Sequence, residues 1–297
     1  LSPLFLSLLA GLLLGQLPKL PKEWEGIRKF SAKRLMRLGV VLLGFQISFH
    51  NVAEIGWKGF AAILIVVAIV FSSVRFLAPK IGIDTELATL LAGGFSICGV
   101  SAITAIGTAR KSDKTAISYA SGVITLLGTL SIFTLPPIAH LLKLSNKITG
   151  SWIGAAVHDI GQVVATATLA GGGTIHYAIV TKLARIVLLA PILILLTIKQ
   201  NSGGENFSAK IKSAFPLFIL GFFFILIIGN EVKINSHLLT FFNDLSKISL
   251  ACGLFSMALG VKWREIKAVG HKPVLFGLAM WVILGGVSLS IIELFVK

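Results

Sequence analysis

Three short stretches of this sequence hold groups that could do chemistry, and all three lie inside apolar runs. The first is Gly93-Gly94-Phe95-Ser96-Ile97-Cys98-Gly99-Val100-Ser101, three glycines among hydroxyl and thiol side chains. Glycine costs a helix interior about 1 kcal/mol relative to alanine, so a helix is expected to break here. A break frees C=O groups at the end of the first half and N–H groups at the start of the second; the former can hold a cation and the latter an anion. Close packing of helices through small residues is the plainer alternative. Ser96, Cys98, Gly99 and Ser101 are the binding candidates of this stretch, with Cys98 read as a small buried side chain rather than a nucleophile.

The second stretch, Gly154 to Gln162, sets His158 and Asp159 about ten residues into an apolar run, near the middle of a bilayer. On a continuous helix Gly154, His158, Gly161, Gln162 and Ala165 would share one face. Ionisable groups at such depth cost at least about 2.5 kcal/mol each and commonly mark a pathway or a proton relay; a structural ion pair is the competing explanation. Lys182 and Arg185, on one face of the next run, are the third element. Adjacent antiparallel helices bring their midpoints level, so Asp159 is expected to pair with Arg185, with Lys182 beside them. The surplus of Lys182 and His158 would then leave a positive pocket suited to an anion. His158, Gly161, Gln162 and Arg185 thus join the binding candidates, and Asp159 and His158 are the candidates for ion coupling. Asn243, Asp244 and Lys247 read as an interfacial turn, while Gln46, Arg75 and Glu293 sit near the ends of runs, within reach of water.

The elements that must position these groups are membrane helices. Only 13% of the 297 residues are charged, against about 25% in soluble domains, and mean hydropathy is +0.91. Ten apolar stretches fall between polar loops, at 4–17, 35–49, 57–77, 87–109, 116–142, 149–170, 176–198, 215–228, 238–261 and 273–295. They are too long and too uniformly apolar for the strands of a membrane barrel, which alternate over roughly ten residues. The expectation is an all-α, multi-pass protein of the inner (plasma) membrane, one transmembrane domain over 1–297, with about ten segments. Because the first run begins almost at Leu1, a further helix is expected to precede it.

The formal charge of +15 is not a nucleic-acid signature. Lys19, Lys22, Arg28, Lys29, Lys33, Arg34 and Arg37 cluster in one connection and Lys262, Arg264, Lys267 and Lys272 in another, as cytoplasmic loops of membrane proteins do. Cys98 and Cys252 both lie in apolar runs, which supports neither a disulfide framework nor a metal site. Arg110, Lys111 and Lys114 spoil the alternation of basic loops, unless 87–109 dips into the membrane and returns as a re-entrant hairpin.

A shift of 62 residues pairs Gly99 with Gly161, Thr104 with Thr166, Ala105 with Ala167, Ala116 and Ile117 with Ala178 and Ile179, and Leu126 and Leu127 with Leu188 and Leu189. Repeat units over 84–142 and 149–200 follow, as in many transporters. Parity decides their symmetry, since two full crossings per unit give parallel repeats and one gives inverted repeats.

RLGVVLLGFQIS, SICGVSA, GSWIGAAVHDIGQVVATA, KLARIVLLAP and MALGVKWREIKAVGHKP together resemble the YeiH-like bacterial membrane proteins, a family labelled as sulfate exporters, over nearly the whole chain. That family is grouped with the cation/proton antiporters and anion transporters. The resemblance implies inverted repeats, two discontinuous segments meeting near the membrane centre, and a site where Ser96 to Ser101 and His158 to Gln162 converge. It also implies secondary transport of a small anion such as sulfate or a related sulfur oxyanion, coupled to H⁺ or Na⁺, with no resident cofactor. Members commonly carry an additional N-terminal helix, and many read Ala-Ala-Gly where this chain has Ala165-Thr166-Ala167. The partners expected are the anion and the lipid bilayer, with a homodimer allowed and nucleic acid excluded. A passive anion channel is the alternative; an intramembrane enzyme using Cys98 or His158 lacks any recognisable nucleophile and base pair.

Overall fold

The computed structural model describes residues 3–16, 24–171, 173–189, 191–192, 196, 217–232, 234–260 and 271–296, and every regular element among them is helical. In chain order these are α1 (Pro3–Leu14), α2 (Trp24–Phe30), a π-helical turn over Ser31–Leu35, α3 (Met36–Leu42) and, after a 3-10 turn over Leu43–Gln46, α4 (Phe49–Lys80). Then come α5 (Thr85–Ser96), α6 (Val100–Arg110), α7 (Lys114–Leu141), α8 (Asn146–Ala156), α9 (Ile160–Ala170) and α10 (Thr174–Val187). α11 (Leu217–Glu231), α12 (Ser236–Leu259) and α13 (His271–Val296) complete the set. Lys19, Lys22, the segment 199–212 and the basic residues Lys262, Arg264 and Lys267 lie outside the described residues.

Four described helices are long and apolar enough to cross a bilayer: Val52–Lys80, Lys114–Leu141, Ser236–Leu259 and Pro273–Val296. Their outer faces present bare side chains such as Phe76, Phe133, Phe241 and Leu294, a surface that lipid tails solvate and water does not. Two of the ten expected runs are not single crossings. α5 has 12 residues and α6 has 11, each spanning about 18 Å at 1.5 Å per residue, too short for about 30 Å of hydrocarbon.

α6 runs back along α5, because Gly94 faces Ile103 and Gly93 faces Ile106. At the base, the Asp113 N–H donates to Glu86 Oε1 at 2.9 Å, and Asp84 caps α5 by accepting from the Glu86 and Leu87 amides. The segment is therefore a helical hairpin, which brings Arg110, Lys111 and Lys114 back to the end of α5 that follows Lys80.

The run 149–170 is also two helices, with extended backbone at Val157 and Asp159 between them. The break lies where the family resemblance implied a discontinuous segment, so the face that Gly154, His158, Gly161, Gln162 and Ala165 would share on a continuous helix does not form. Gly150 abuts the Thr174 carbonyl, and Gly154 abuts the Ala178 carbonyl and Thr181. α8 and α10 thus begin level and run parallel. α9 leads into the start of α10, where Thr174 Oγ1 donates to the Ala167 carbonyl at 2.8 Å; α9 has come back to the end from which α8 started. The two hairpins accordingly begin at opposite ends of α7.

The helices sort into two groups. α4 to α10 pack with α13, tied by Trp152 Nε1 donating to the Gly285 carbonyl at 2.8 Å and Trp281 Nε1 donating to Ser131 Oγ at 2.7 Å. α1, α2, α3, α11 and α12 form the other, in which Ser246 Oγ donates to the Gly39 carbonyl and Asn230 Nδ2 to the Ile47 carbonyl. They meet at Gly161, where a Cβ would lie 2.9 Å from both Met36 Cε and Met257 Sδ.

Candidate functional site

The tips of the two hairpins touch. Gly99 has φ 64°, a conformation that side-chain-bearing residues rarely adopt. A Cβ there would stand 3.3 Å from the His158 carbonyl and 3.4 Å from the Asp159 nitrogen. Glycine is thus needed for both the turn and the contact. Its N–H donates to the Gly94 carbonyl at 3.2 Å, and that of Ile97 to the Gly93 carbonyl at 3.1 Å. Ser96 Oγ is turned back to the Ala92 carbonyl at 2.6 Å, and Cys98 is buried. The amino end of α6 has no side-chain cap, and Ser101 in its first turn is half-buried.

At the second tip the amino end of α9 is closed by its own residues. Asp159 Oδ1 accepts from the Gly161 amide at 3.0 Å, and Gln162 Oε1 accepts from the Asp159 amide at 3.2 Å, the reciprocal arrangement of a capping box. Gln162 Nε2 donates to the Thr125 carbonyl at 3.1 Å, fastening the tip to α7. Gly128 makes the room, since a Cβ on it would fall 1.9 Å from Gln162 Oε1.

The carbonyl ends of both hairpins converge on α10. Arg185, fully buried, donates to the carbonyls of Phe95 and Ser96 on α5 and of Gly154, Ala155 and Val157 at the end of α8. Lys182, equally buried, donates to the Ile97 and Val157 carbonyls, both at 2.8 Å. This corrects the expected ion pair. Among the described residues Asp159 makes no salt bridge with Arg185 or Lys182, because breaking two helices at mid-depth leaves carbonyls that need these donors more than the carboxylate does. Asp159 is half-buried, and the cations whose charge acts on it are Lys182 and Arg37. Arg37 belongs to α3, on the far side of the junction, with its guanidinium 5.3 Å from the Phe218 ring centre.

His158 is fully buried and meets Phe95 edge to face, with ring centres 5.0 Å apart. Neither of its ring nitrogens makes a hydrogen bond; the nearby Phe95 carbonyl is taken by Arg185. The fold thus brings Ser96, Cys98, Gly99 and Ser101 to the same place as His158, Asp159, Gly161, Gln162, Lys182 and Arg185. Sequence reasoning placed Arg37 only in a basic connection, and missed Gly128 and Thr125, which carry no signal of their own. The second break was implied by the family resemblance alone; in the residues themselves the spacing of Asp159 and Gln162 before an apolar run was an available cue.

The family model described as conserved hypothetical protein 698 matches residues 1–277. The UPF0324 membrane protein Cgl0015/cg0018 of Corynebacterium glutamicum is 31% identical over 290 residues, 97% of this chain and 84% of the relative. The UPF0324 inner membrane protein YeiH of Escherichia coli is 30% identical over 298 residues, 97% and 85% of the two chains. The UPF0324 membrane protein WS2204 of Wolinella succinogenes is 32% identical over 304 residues, 97% and 88%. No solved structure matches. With a match to most of its length and apolar helices able to span a bilayer, the chain belongs to the UPF0324 family, the family of conserved hypothetical protein 698, and is a multi-pass protein of the inner membrane.

Proposed function

We propose that this protein is a secondary transporter that exports a small anion, sulfate or a related sulfur oxyanion, coupled to movement of H⁺ or Na⁺. The observation that carries the reading is the asymmetry of the four helix ends at the hairpin tips. Both carbonyl ends, of α5 and α8, are covered by Arg185 and Lys182. The amino end of α9 is covered by Asp159, while that of α6 has no side-chain cap. Two cations against one carboxylate leave positive charge near an amino end that lacks a side-chain cap, the arrangement that favours an anion. Ser101 would add a hydroxyl to the bound anion. Asp159, half-buried at the junction of the two groups, would take up the coupling ion together with His158.

The topology supports alternating access. Thr85, Val100 and Lys114 open the helices of one hairpin-plus-crossing unit, and Asn146, Ile160 and Thr174 open those of the next about 60 residues later. With one crossing per unit the second enters from the other side, so 84–142 and 149–200 would form an inverted pair. One helix group moving against the other at the soft contact of Met36 and Met257 with Gly161 would expose the tips to each side in turn.

The test is flux in proteoliposomes across sulfate, sulfite, thiosulfate, sulfonates and small carboxylates, under imposed pH or Na⁺ gradients. The proposal expects saturable, gradient-driven uptake of at least one of these. Asp159→Asn, which keeps a side chain suited to the helix cap, is expected to abolish the gradient dependence with little change in thermal stability. Non-saturating downhill flux would indicate a channel instead, and unchanged coupling in Asp159→Asn would remove that residue from the role.

A further inference from the structure

A lateral groove between α1, α2 and α12 has a volume of about 810 Å³. Its walls are apolar, formed by Leu6, Ala10, Trp24, Ile27, Ala251 and Phe255. Its axis follows α12 from Ala251 and Cys252 to Leu259, the last residue of that helix. Ser7, Ser31 and Ser256 also line the groove, and its charged lining residue is Arg28, which lies against the last turn of α12 at Gly260, fixed by Glu25 at 2.7 Å.

The rim is basic. Lys29, with 70% of its side chain exposed, shares the Glu25 carboxylate, at 3.1 Å, with Arg28, Lys33 and Arg34 are exposed, and Glu25 is the one acidic side chain of α2 and the π-helical turn. Trp24 is half-exposed at the groove mouth, as aromatic side chains at the headgroup level of a bilayer are. By the distribution of basic residues this rim faces the cytoplasmic leaflet, whose surface is anionic.

We propose that the groove binds one anionic phospholipid of that leaflet, with an acyl chain between α1 and α12 and the phosphate on the basic rim. Charge complementarity selects this occupant: a zwitterionic lipid would fill the apolar part equally well but would gain little from four cations around one carboxylate. The inference is independent of any transported anion. It requires only that the chain sits in a bilayer.

The full chain, purified in detergent, can be titrated with phosphatidylglycerol or phosphatidylcholine bearing the same brominated acyl chains while tryptophan fluorescence is followed. The expected result is saturable quenching by phosphatidylglycerol, with half-saturation several-fold lower than for phosphatidylcholine, and lost in Trp24→Phe. Combined Lys29→Gln, Lys33→Gln and Arg34→Gln should raise half-saturation to the phosphatidylcholine value. Ala251→Phe, which fills the wall without changing charge, should remove the saturable component; Ala10→Leu on the opposite wall serves if that variant does not fold. Equal quenching by the two lipids would mean ordinary annular lipid and would overturn the proposal. So would saturable quenching that survives Trp24→Phe or the wall-filling variant.

Discussion

Arg185 holds two hairpins with one side chain because a guanidinium is a rigid planar fork of five N–H donors, and its neighbours are carbonyls on both sides. Lysine has the charge but not the span. Arg185→Lys is therefore expected to cost on the order of 2–4 kcal/mol of stability by stranding buried carbonyls, visible as a clear fall in the thermal midpoint of the purified protein. An unchanged midpoint would mean that the tips are held by something else. Asp159, Lys182 and Arg185 were legible in the sequence as a group, since ionisable residues at mid-bilayer depth seldom occur without a role. Their pairing was not. Matching side-chain charges ignores the backbone groups that a helix break sets free, and at these tips those carbonyls outnumber the single carboxylate.

At the scale of elements, the first break was readable from Gly93, Gly94 and Gly99, and the misplaced Arg110, Lys111 and Lys114 pointed to a hairpin. The second was implied only by the family resemblance, because Ala155, Ala156 and Val157 carry no helix-breaking signal, leaving only the cap formed by Asp159 and Gln162. That cap depends on Gly128. In Gly128→Ala the new methyl would displace the Gln162 amide and with it two hydrogen bonds, worth about 1–3 kcal/mol together. Thermal unfolding should show the loss in the wild-type background and almost none in Gln162→Ala; an additive double variant would contradict the coupling.

The outer end of α7 is held differently, by Asp113, whose carboxyl is kept below the ordinary aspartate range first by its hydrogen bond to Thr115. A lowered folded-state value means that this contribution is present above the unfolded value of about 3.9 and fades as pH falls through the folded one. The thermal midpoint of Asp113→Ala should accordingly trail the wild type at neutral pH and converge on it below about pH 4. A gap that stays constant across that range would mean the carboxylate charge is not what caps the helix.

For the molecule as a whole, residence in a membrane was plain from composition, while the count of ten crossings was not secure, because hydropathy cannot distinguish a run that crosses from one that enters and returns. The separation into two helix groups was invisible in the sequence, for it rests on contacts between distant segments such as Met36 and Met257 with Gly161. On the proposed function, the uncapped end of α6 is an anion site reached alternately from the two sides of the membrane. That claim is tested most directly by Ser101→Cys in a background of Cys98→Ala and Cys252→Ala, treated with a membrane-impermeant thiol reagent in right-side-out and inside-out vesicles. The account predicts labelling from both sides, slowed by the transported anion; labelling from one side alone that no anion slows, or none from either, would contradict it.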